Sequence, residues 1–470
     1  MDETIFDYNV FIGKYYNVDI FLNWNDFWYG YGIIYIIFRR RHDMNNIDKL
    51  RHDLLKGAMD DRIKSIYVEP DRVKYNRERY VSAIDSFSKL FPEEKEIEIY
   101  SAPGRSEVCG NHTDHQNGVV LATSINLDAI AIVSKTEDNA IRLVSGGFPM
   151  EVIDVTDVAK RESEKDTTTA LIRGVLAGLK DMGRKLGGFK AYVTSDVIMG
   201  AGMSSSAAFE SLIGTIISGL YNNMEVSSVD IAKIGQYAEN EYFGKPCGLM
   251  DQMACSVGGM VYIDFANMTK PAVEKIECNF QEAGLSLCIV DTKGSHADLT
   301  PDYAAIPEEM RQVAEYFGKD YLRDVPEEKF YKDIAVLRDK VSDRAVLRAI
   351  HFYTEQKRVD EAVSMLRASD YTGFLDVLKR SGNSSAKYLQ NIYSPTDLTA
   401  QNVTVALAVS ESVLGERGVS RVHGGGFAGT MQAFVKNDAV PEYKKAMEKI
   451  FGEGSCHVLK VRPYGGIKVV

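Results

Sequence analysis

Gly200-Ala-Gly-Met-Ser-Ser-Ser-Ala-Ala208 follows an extended run at 192–197 and precedes a helical pattern whose apolar positions are Leu212, Ile213, Ile216, Ile217 and Leu220. Strand, glycine turn and helix start, in that order, make an anion-binding geometry. Glycines let the backbone curl close to a polyphosphate, the first-turn amides are unpaired donors, and the helix dipole adds partial positive charge. Ser204, Ser205 and Ser206 add hydroxyls for phosphate oxygens or a metal. The segment is neither a Walker A loop, which needs Gly-Lys-Ser/Thr, nor a dinucleotide G-x-G-x-x-G. Taken alone it also fits a structural glycine turn with a serine N-cap.

Upstream, the run Ser101-Ala-Pro-Gly-Arg-Ser-Glu-Val-Cys-Gly-Asn-His-Thr-Asp-His-Gln-Asn-Gly118 gathers Arg105, His112 and Asp114 where a strand-like segment (Ile97, Ile99, Tyr100) ends. Such residues on a tight turn suit a polyhydroxylated ligand, which needs carboxylate acceptors and imidazole donors. A polar surface loop is the alternative reading. Downstream lies Gln236-Tyr-Ala-Glu239-Asn-Glu-Tyr-Phe-Gly244-Lys-Pro-Cys-Gly-Leu-Met-Asp251-Gln252. Glu239 borders the apolar stripe of Ile231, Ile234 and Ala238, so it can face inward as a metal ligand. Asp251, on a turn between Pro246 and a strand at 260–265, is a candidate base. A second glycine turn, Arg421-Val-His-Gly424-Gly-Gly-Phe-Ala-Gly429, leads into a strand at 430–435. Glycine at that density implies close backbone approach.

The 470 residues suffice for two or three packed domains. A net charge of -11 argues against nucleic acid or an anionic membrane as partner. The six cysteines, at 109, 247, 255, 278, 288 and 456, form no C-x-x-C pair and no zinc-ligand spacing, which fits a reducing cytoplasm. Cys109 and Cys247 fall within the motifs without a neighbouring base and read as small packing residues.

Strand and helix patterns mix along the chain, as in α+β layers, and residues 44–95 read as a helical extension. Residues 119–133 read as a pair of strands, and the stretch from Pro307 to Tyr393 as helical. No internal repeat and no long linker is visible.

Taken together and in order, from Glu96 to Val470, these segments resemble the three signature motifs of the GHMP small-molecule kinases, and within them those of the galactokinases. Asp291-Thr-Lys-Gly-Ser-His-Ala-Asp-Leu-Thr-x-x-Tyr303 resembles their sugar-contacting strand and loop, and Arg348-Ala-Ile-His351 with Arg358-Val359 their helical Arg-Ala-x-His…Arg-Val segment. The resemblance implies an α+β two-domain GHMP kinase fold. Its N-terminal domain, at 96–285, would be like domain 2 of ribosomal protein S5, and its C-terminal domain, at 286–470, ferredoxin-like, with the active site between them.

The same resemblance makes Asp251 the base for the anomeric hydroxyl and Arg105 the group that orients it and stabilises the transferring phosphoryl. It makes Gly200, Ala201, Gly202, Met203, Ser204, Ser205 and Ser206 the ATP phosphate loop, with Ser145 a further nucleotide contact. Ser206 and Glu239 become ligands of Mg²⁺, and Asn111, His112, Thr113, Asp114 and Tyr303 contacts to the sugar. The partners so implied are a small-molecule sugar and ATP, with no obligate protein partner evident.

Two departures stand out. Galactokinases normally read Gly-Glu-His-Thr-Asp-Tyr where this chain has Gly110-Asn-His-Thr-Asp-His115, so the glutamate expected to meet the sugar's hydroxymethyl end is Asn111. An amide accepts through its oxygen but loses a charge-assisted bond worth on the order of 1 kcal/mol. Ser381-Gly382 stands where many relatives have Ser-His. A kinase of galactose, a kinase of another sugar (N-acetylgalactosamine, L-arabinose or galacturonate) and a non-catalytic sugar sensor are the three readings. Ser205-Ser206-Ala207, Glu239 and Asp251 are all present, which favours an enzyme.

The first 43 residues are of another kind. They hold both tryptophans but no Ala, Ser, Pro or Gln, and their apolar run at 32–38 is too short to span a bilayer. The acidic Met-Asp-Glu start is unlike a secretory signal. Residues favoured by A/T-rich codons, followed by Arg39-Arg-Arg-His-Asp-Met44, are what translation of a leader with a purine-rich ribosome-binding site yields. The natural start is expected at Met44. Intact-mass measurement of the natively expressed protein checks this, and a product beginning at Met1 would refute it.

Overall fold

The alternation of side chains along Ile97, Ile99 and Tyr100 continues much further than the sequence pattern suggests. In the computed structural model of the protein, which describes residues 46–198, 202–294 and 299–470, β1 runs from Glu98 to Cys109 and carries Arg105 within it. Residues 1–43, Gly200 and Ala201 lie outside the described residues. The strand was expected to end before the polar motif. It continues because Ser101, Arg105, Ser106 and Glu107, all buried, find hydrogen-bond partners on other elements.

The strands that follow are β2 (Val119–Lys135), β3 (Ala140–Ser145), β4 (Met150–Asp154), β5 (Phe189–Ser195), β6 (Met260–Asp264), β7 (Ala272–Ile276), β8 (Leu285–Asp291), β9 (Gly418–Val422), β10 (Thr430–Lys436), β11 (Cys456–Leu459) and β12 (Ile467–Lys468). Among the described residues the larger sheet has the order β12-β1-β2-β5-β3-β4, with β6 and β7 added along β2. The smaller sheet has the order β11-β8-β10-β9 and is antiparallel throughout.

β2 is one strand, not the expected pair. It changes partner along its length, bonding β6 over Val119 to Thr123 and β5 over Ala129 to Lys135, while β1 follows it on the other side and absorbs the bend in two register shifts. The changeover is held at Ser124, whose amide donates to Gly259 O and whose hydroxyl donates to Arg462 O. The final strand, β12, leaves the smaller sheet behind and pairs with β1 of the larger one.

Period-two alternation gives the larger sheet two apolar faces. Tyr100, Ala102, Ala131 and Val133 pack on the helices Thr168–Asp181, Ser205–Asn222 and Ser228–Tyr237 through Ile172, Leu176, Leu212, Ile216 and Ile234. Ile99, Ile130 and Ile132 point the other way. They are covered by Leu54, Ile63, Ile66, Tyr80, Ile84 and Phe87 from the helices Asn46–Leu55, Asp60–Tyr67 and Val73–Leu90. The extension therefore seals a face that would otherwise meet water. The helices Thr300–Tyr316, Glu327–Lys340 and Asp343–Arg367 build a separate apolar cluster that reaches Phe427, and Val108, Ile125, Leu287, Val359, Phe374 and Phe434 pack together where the two sheets meet. No helix among the described residues is long and apolar enough to cross a membrane.

Beneath the extension, Asp128 of β2 and Arg462 are both fully buried and pair at 2.7 Å. Asp128 also receives Arg79 at 2.5 Å, Tyr67 at 2.8 Å and the Ser101 hydroxyl. Burial alone would raise this carboxyl, but Arg79, Arg462 and Ser101 outweigh it and hold it below its ordinary value. Removing one charge from such a cluster leaves its partners buried without compensation. Asp128→Asn should therefore cost about 3–5 kcal/mol in urea denaturation. Since the folded pKa is the lower one, the stabilisation is complete above the unfolded carboxyl range near ~3.9 and is lost as pH falls through the folded value. In the variant that acid-dependent part should be missing.

Candidate active site

β1 approaches the glycine turn so closely that position 104 has no room for a side chain: a Cβ there would lie 2.7 Å from Met203 O. The Arg105 amide donates to the same carbonyl at 3.1 Å. From this fixed backbone the Arg105 guanidinium reaches Asp251 through two parallel bonds, Nε to Oδ1 at 2.6 Å and Nη2 to Oδ2 at 2.7 Å, while Nη1 donates to Gly202 O. Asp251 was expected on a turn. It lies instead in the first turn of the helix Met250–Val257, because the loop after Pro246 ends at Leu249, the N-cap. A carboxylate is favoured there by the helix dipole.

The Asp251 side chain is 31% exposed, so one edge remains open to a ligand. Burial works to raise its pKa, but Arg105, the Ser204 hydroxyl and Lys245 prevail and keep it below the ordinary value. It is ionised at neutral pH and is a weak base.

Ser204 caps no amide of the helix Ser205–Asn222. It sits in the left-handed region at φ 56°, and its hydroxyl donates to Asp251 Oδ2. The first-turn amides of that helix have no helical partners and no described side chain caps them, so they stay available to an anion. Gly202, at φ 66°, allows the turn to lie against His423 and Thr430 of the other sheet. Met203 serves differently from the expectation: its side chain is fully buried in the junction core and offers a ligand only its backbone. Ser205 opens the helix. Ser145 ends β3 opposite Val193 of the parallel β5, at the same end of the sheet as the glycine turn.

Glu239 lies on a widened helical turn, Ala238–Phe243, that continues the helix Ser228–Tyr237. Only 3% exposed, its carboxylate accepts Ser206 Oγ at 3.1 Å and Lys245 Nζ at 3.1 Å on Oε1, and Gln252 Nε2 at 2.8 Å on Oε2. Gln252 also donates to Glu210, whose carboxyl is pushed well above its ordinary value by burial and by Glu239. A buried carboxylate beside a hydroxyl, already facing one cation, offers hard oxygen donors that suit a divalent ion sharing its remaining positions with phosphate and water.

At the other end, the turn after β1 is closed by Thr113, whose buried hydroxyl bonds to Gly110 O at 2.9 Å and Val119 O at 2.6 Å. Thr113 is the clasp of this turn and not, as expected, a face toward the sugar. His112 has φ 60° and sets Nε2 3.0 Å from Gly425 O. Burial, then His115, pushes its pKa down to about 3, so the ring is neutral, donates from Nε2 and keeps Nδ1 as an acceptor. Asp114 rests on Gly248, where a Cβ would come within 2.1 Å of Oδ2, which places it beside the loop that leads to Asp251. Tyr303 donates to Gly426 O at 3.0 Å and meets Phe427 edge to face.

Asn111 is fully buried, and its amide is used up inside the protein. Nδ2 donates to Glu107 at 3.0 and 3.1 Å and to Gly424 O at 2.7 Å, and Oδ1 accepts from Asn391 at 2.7 Å. The expectation that it meets the hydroxymethyl end of a sugar is corrected accordingly: both donors are used, and Oδ1, the acceptor expected to face the sugar, already accepts from Asn391 and Ser385. Sequence reading missed Glu107, the buried carboxylate beside it, which pairs with Arg421 at 3.2 Å. A glutamate inside an apolar strand was the available signal. Gly382 has a packing reason, since a Cβ would press on Arg421 at 3.0 Å.

The structure thus joins Arg105, Ser204 and Asp251, joins Ser206 with Glu239, and lays Asn111, His112 and Tyr303 along successive carbonyls of the 424–426 turn. Comparison with known proteins gives matches over two of these segments. The model of the GHMP kinases N terminal domain matches residues 170–259, and that of the galactokinase galactose-binding signature matches 85–135. A galactokinase of Streptomyces coelicolor is 29% identical over 382 residues, 80% of this chain and 94% of that protein. A galactokinase of Glaesserella parasuis serovar 5 is 30% identical over 349 residues, 73% and 86% of the two chains. In fold, the chain is similar to Lactococcus lactis galactokinase complexed with galactose, at TM-score 0.69, 24% identity and coverage of 82% and 98%. It is also similar to the mevalonate kinase of Methanococcus jannaschii, at TM-score 0.56, 16% identity and coverage of 78% and 98%. By these matches, and with its α+β architecture, the chain belongs to the galactokinase family of the GHMP kinases.

Proposed function

We propose that this phosphotransferase uses ATP and Mg²⁺ to phosphorylate the anomeric hydroxyl of galactose, giving galactose 1-phosphate and ADP. The observation that carries the reading is the two-bond Arg105–Asp251 clamp set beside the uncapped helix start at Ser205. The hydroxyl oxygen would form the new bond to the γ-phosphorus as the bond to the bridging oxygen of ADP breaks, and its proton would pass to Asp251. Phosphoryl transfer depends mainly on alignment and charge neutralisation. An aspartate held below its ordinary pKa suits that order, because it has only to take the proton late. Arg105 holds the carboxylate in place and neutralises charge on the phosphoryl oxygens, and the first-turn amides at Ser205 and Ser206 receive the phosphates.

Ser206 and Glu239 would hold the magnesium ion, which when bound supplies further neutralisation of the phosphate charge. Neutral His112 and Asp114 would bond the ring hydroxyls, with Tyr303 holding the glycine turn against them. Ser145 would border the nucleotide. Six free cysteines fit a cytoplasmic site of action.

The reading is tested by ATP-dependent phosphorylation of galactose, N-acetylgalactosamine, L-arabinose and galacturonate. Galactose should be preferred. Turnover of none of the sugars would overturn the reading, and preference for a C6-modified sugar would displace galactose. Asp251→Asn should lower kcat by on the order of 10²–10⁴ while calorimetry still detects galactose binding. Near-normal turnover in that variant would remove Asp251 as the base.

Asn111 yields a separate test. Restoring the family's glutamate by Asn111→Glu would set two carboxylates about 3 Å apart in a buried site. The variant should lose about 3 kcal/mol or more of stability in denaturant titration, and the double change with Glu107→Asn should recover most of it.

A further inference from the structure

Proton transfer to Asp251 and neutralisation by Arg105 require no lysine at position 245, yet Lys245 is built into the site. Gly244, at φ 88°, reverses the chain so that the amides of both Gly244 and Lys245 donate to Glu239 O, at 3.0 and 3.1 Å. The lysine side chain then folds back to Glu239 Oε1 at 3.1 Å. That is the same oxygen that accepts Ser206 Oγ, so the ammonium already pairs with the carboxylate oxygen that a cation shared by Ser206 and Glu239 would use. The two partners differ sharply in mobility: Glu239 is 3% exposed, whereas the Lys245 side chain is 62% exposed. One is fixed by packing and the other hangs on a flexible four-carbon stem. Asp251 is also within the electrostatic reach of this lysine.

We propose that Lys245 is a resident counter-cation of the nucleotide site. It holds Glu239 ready before any ligand arrives, yields that oxygen to the metal when the metal–nucleotide complex enters, and then pairs with a phosphate oxygen of the nucleotide. The proposal rests on the kinase reading above and adds a consequence to it. A divalent ion alone must compete with the ammonium for one carboxylate oxygen, so it binds poorly. The nucleotide brings negative charge that the displaced lysine can meet, so metal and nucleotide bind together.

The test measures binding and is independent of turnover. Mn²⁺ titrated into the nucleotide-free protein, followed by electron paramagnetic resonance, should bind roughly tenfold more tightly to Lys245→Met than to the unaltered protein. Lys245→Arg, which keeps the charge, should bind Mn²⁺ as the unaltered protein does. At saturating Mn²⁺, where the metal holds Glu239 in both proteins, ATP should bind Lys245→Met roughly tenfold more weakly by calorimetry. Equal Mn²⁺ affinity in the Met variant and the unaltered protein would overturn the counter-cation role, and equal ATP affinity at saturating Mn²⁺ would overturn the phosphate contact. Absence of sugar phosphorylation by the unaltered protein would sink the kinase reading, a result distinct from either, because the Mn²⁺ comparison needs no sugar.

Discussion

The paired bonds between Arg105 and Asp251 hold together two elements that lie far apart in the sequence. They join a central strand of the larger sheet to the first turn of a short helix, and the third guanidinium nitrogen ties both to the glycine turn at Gly202. A planar fork and a carboxylate lock distance and orientation at once. The close approach behind the pair depends on Gly104, since any side chain there would strike the Met203 carbonyl. Base, phosphoryl-stabilising cation and phosphate-binding helix are therefore one rigid unit, as alignment-driven chemistry demands.

That unit stands on a sheet with two apolar faces, and the second face explains the helices ahead of β1. They supply its apolar cover and also the polar contacts that neutralise Asp128, where Tyr67 and Arg79 from the extension join Arg462 from near the C-terminus. The end of the chain is drawn into the same place, with β12 closing on β1. Both ends of the described chain are thus tied to the strand that bears Arg105. Tyr75 extends the tie by bonding Asp196, just ahead of the glycine turn.

The sugar end is organised by the backbone of the 424–426 turn. Its successive carbonyls accept from Asn111 and His112, neighbours in the turn after β1, and from Tyr303 of the helix Thr300–Tyr316. Glycine is required there because the backbone passes so close that a Cβ at 425 would meet the Tyr303 ring at 2.5 Å and one at 426 the Asn391 carbonyl at 2.1 Å. In this setting a carboxylate at Glu107, beside an amide at Asn111, keeps one negative charge opposite Arg421.

Much was legible from local pattern alone, because its causes are local. A strand, a glycine turn and a helix start within thirty residues imply an anion site through backbone geometry, and the order of the three motifs marks the family. The helical reading of residues 307–393 and the strand at 430–435 follow from periodicity. Other features depended on residues far apart in the chain. Ser101, Arg105 and Glu107 lie within a strand and not past its end, because partners from distant segments satisfy them. Residues 119–133 make one strand because three other strands line it. Thr113, Met203 and Asn111 carry family positions, yet burial turns them inward, and no motif shows which way a side chain faces. The sequence by itself determined which chemical groups the protein possesses and the backbone turns that present them. Only the tertiary structure decided which of those groups remain open to a ligand, because burial and charge pairing are set by contacts made hundreds of residues away.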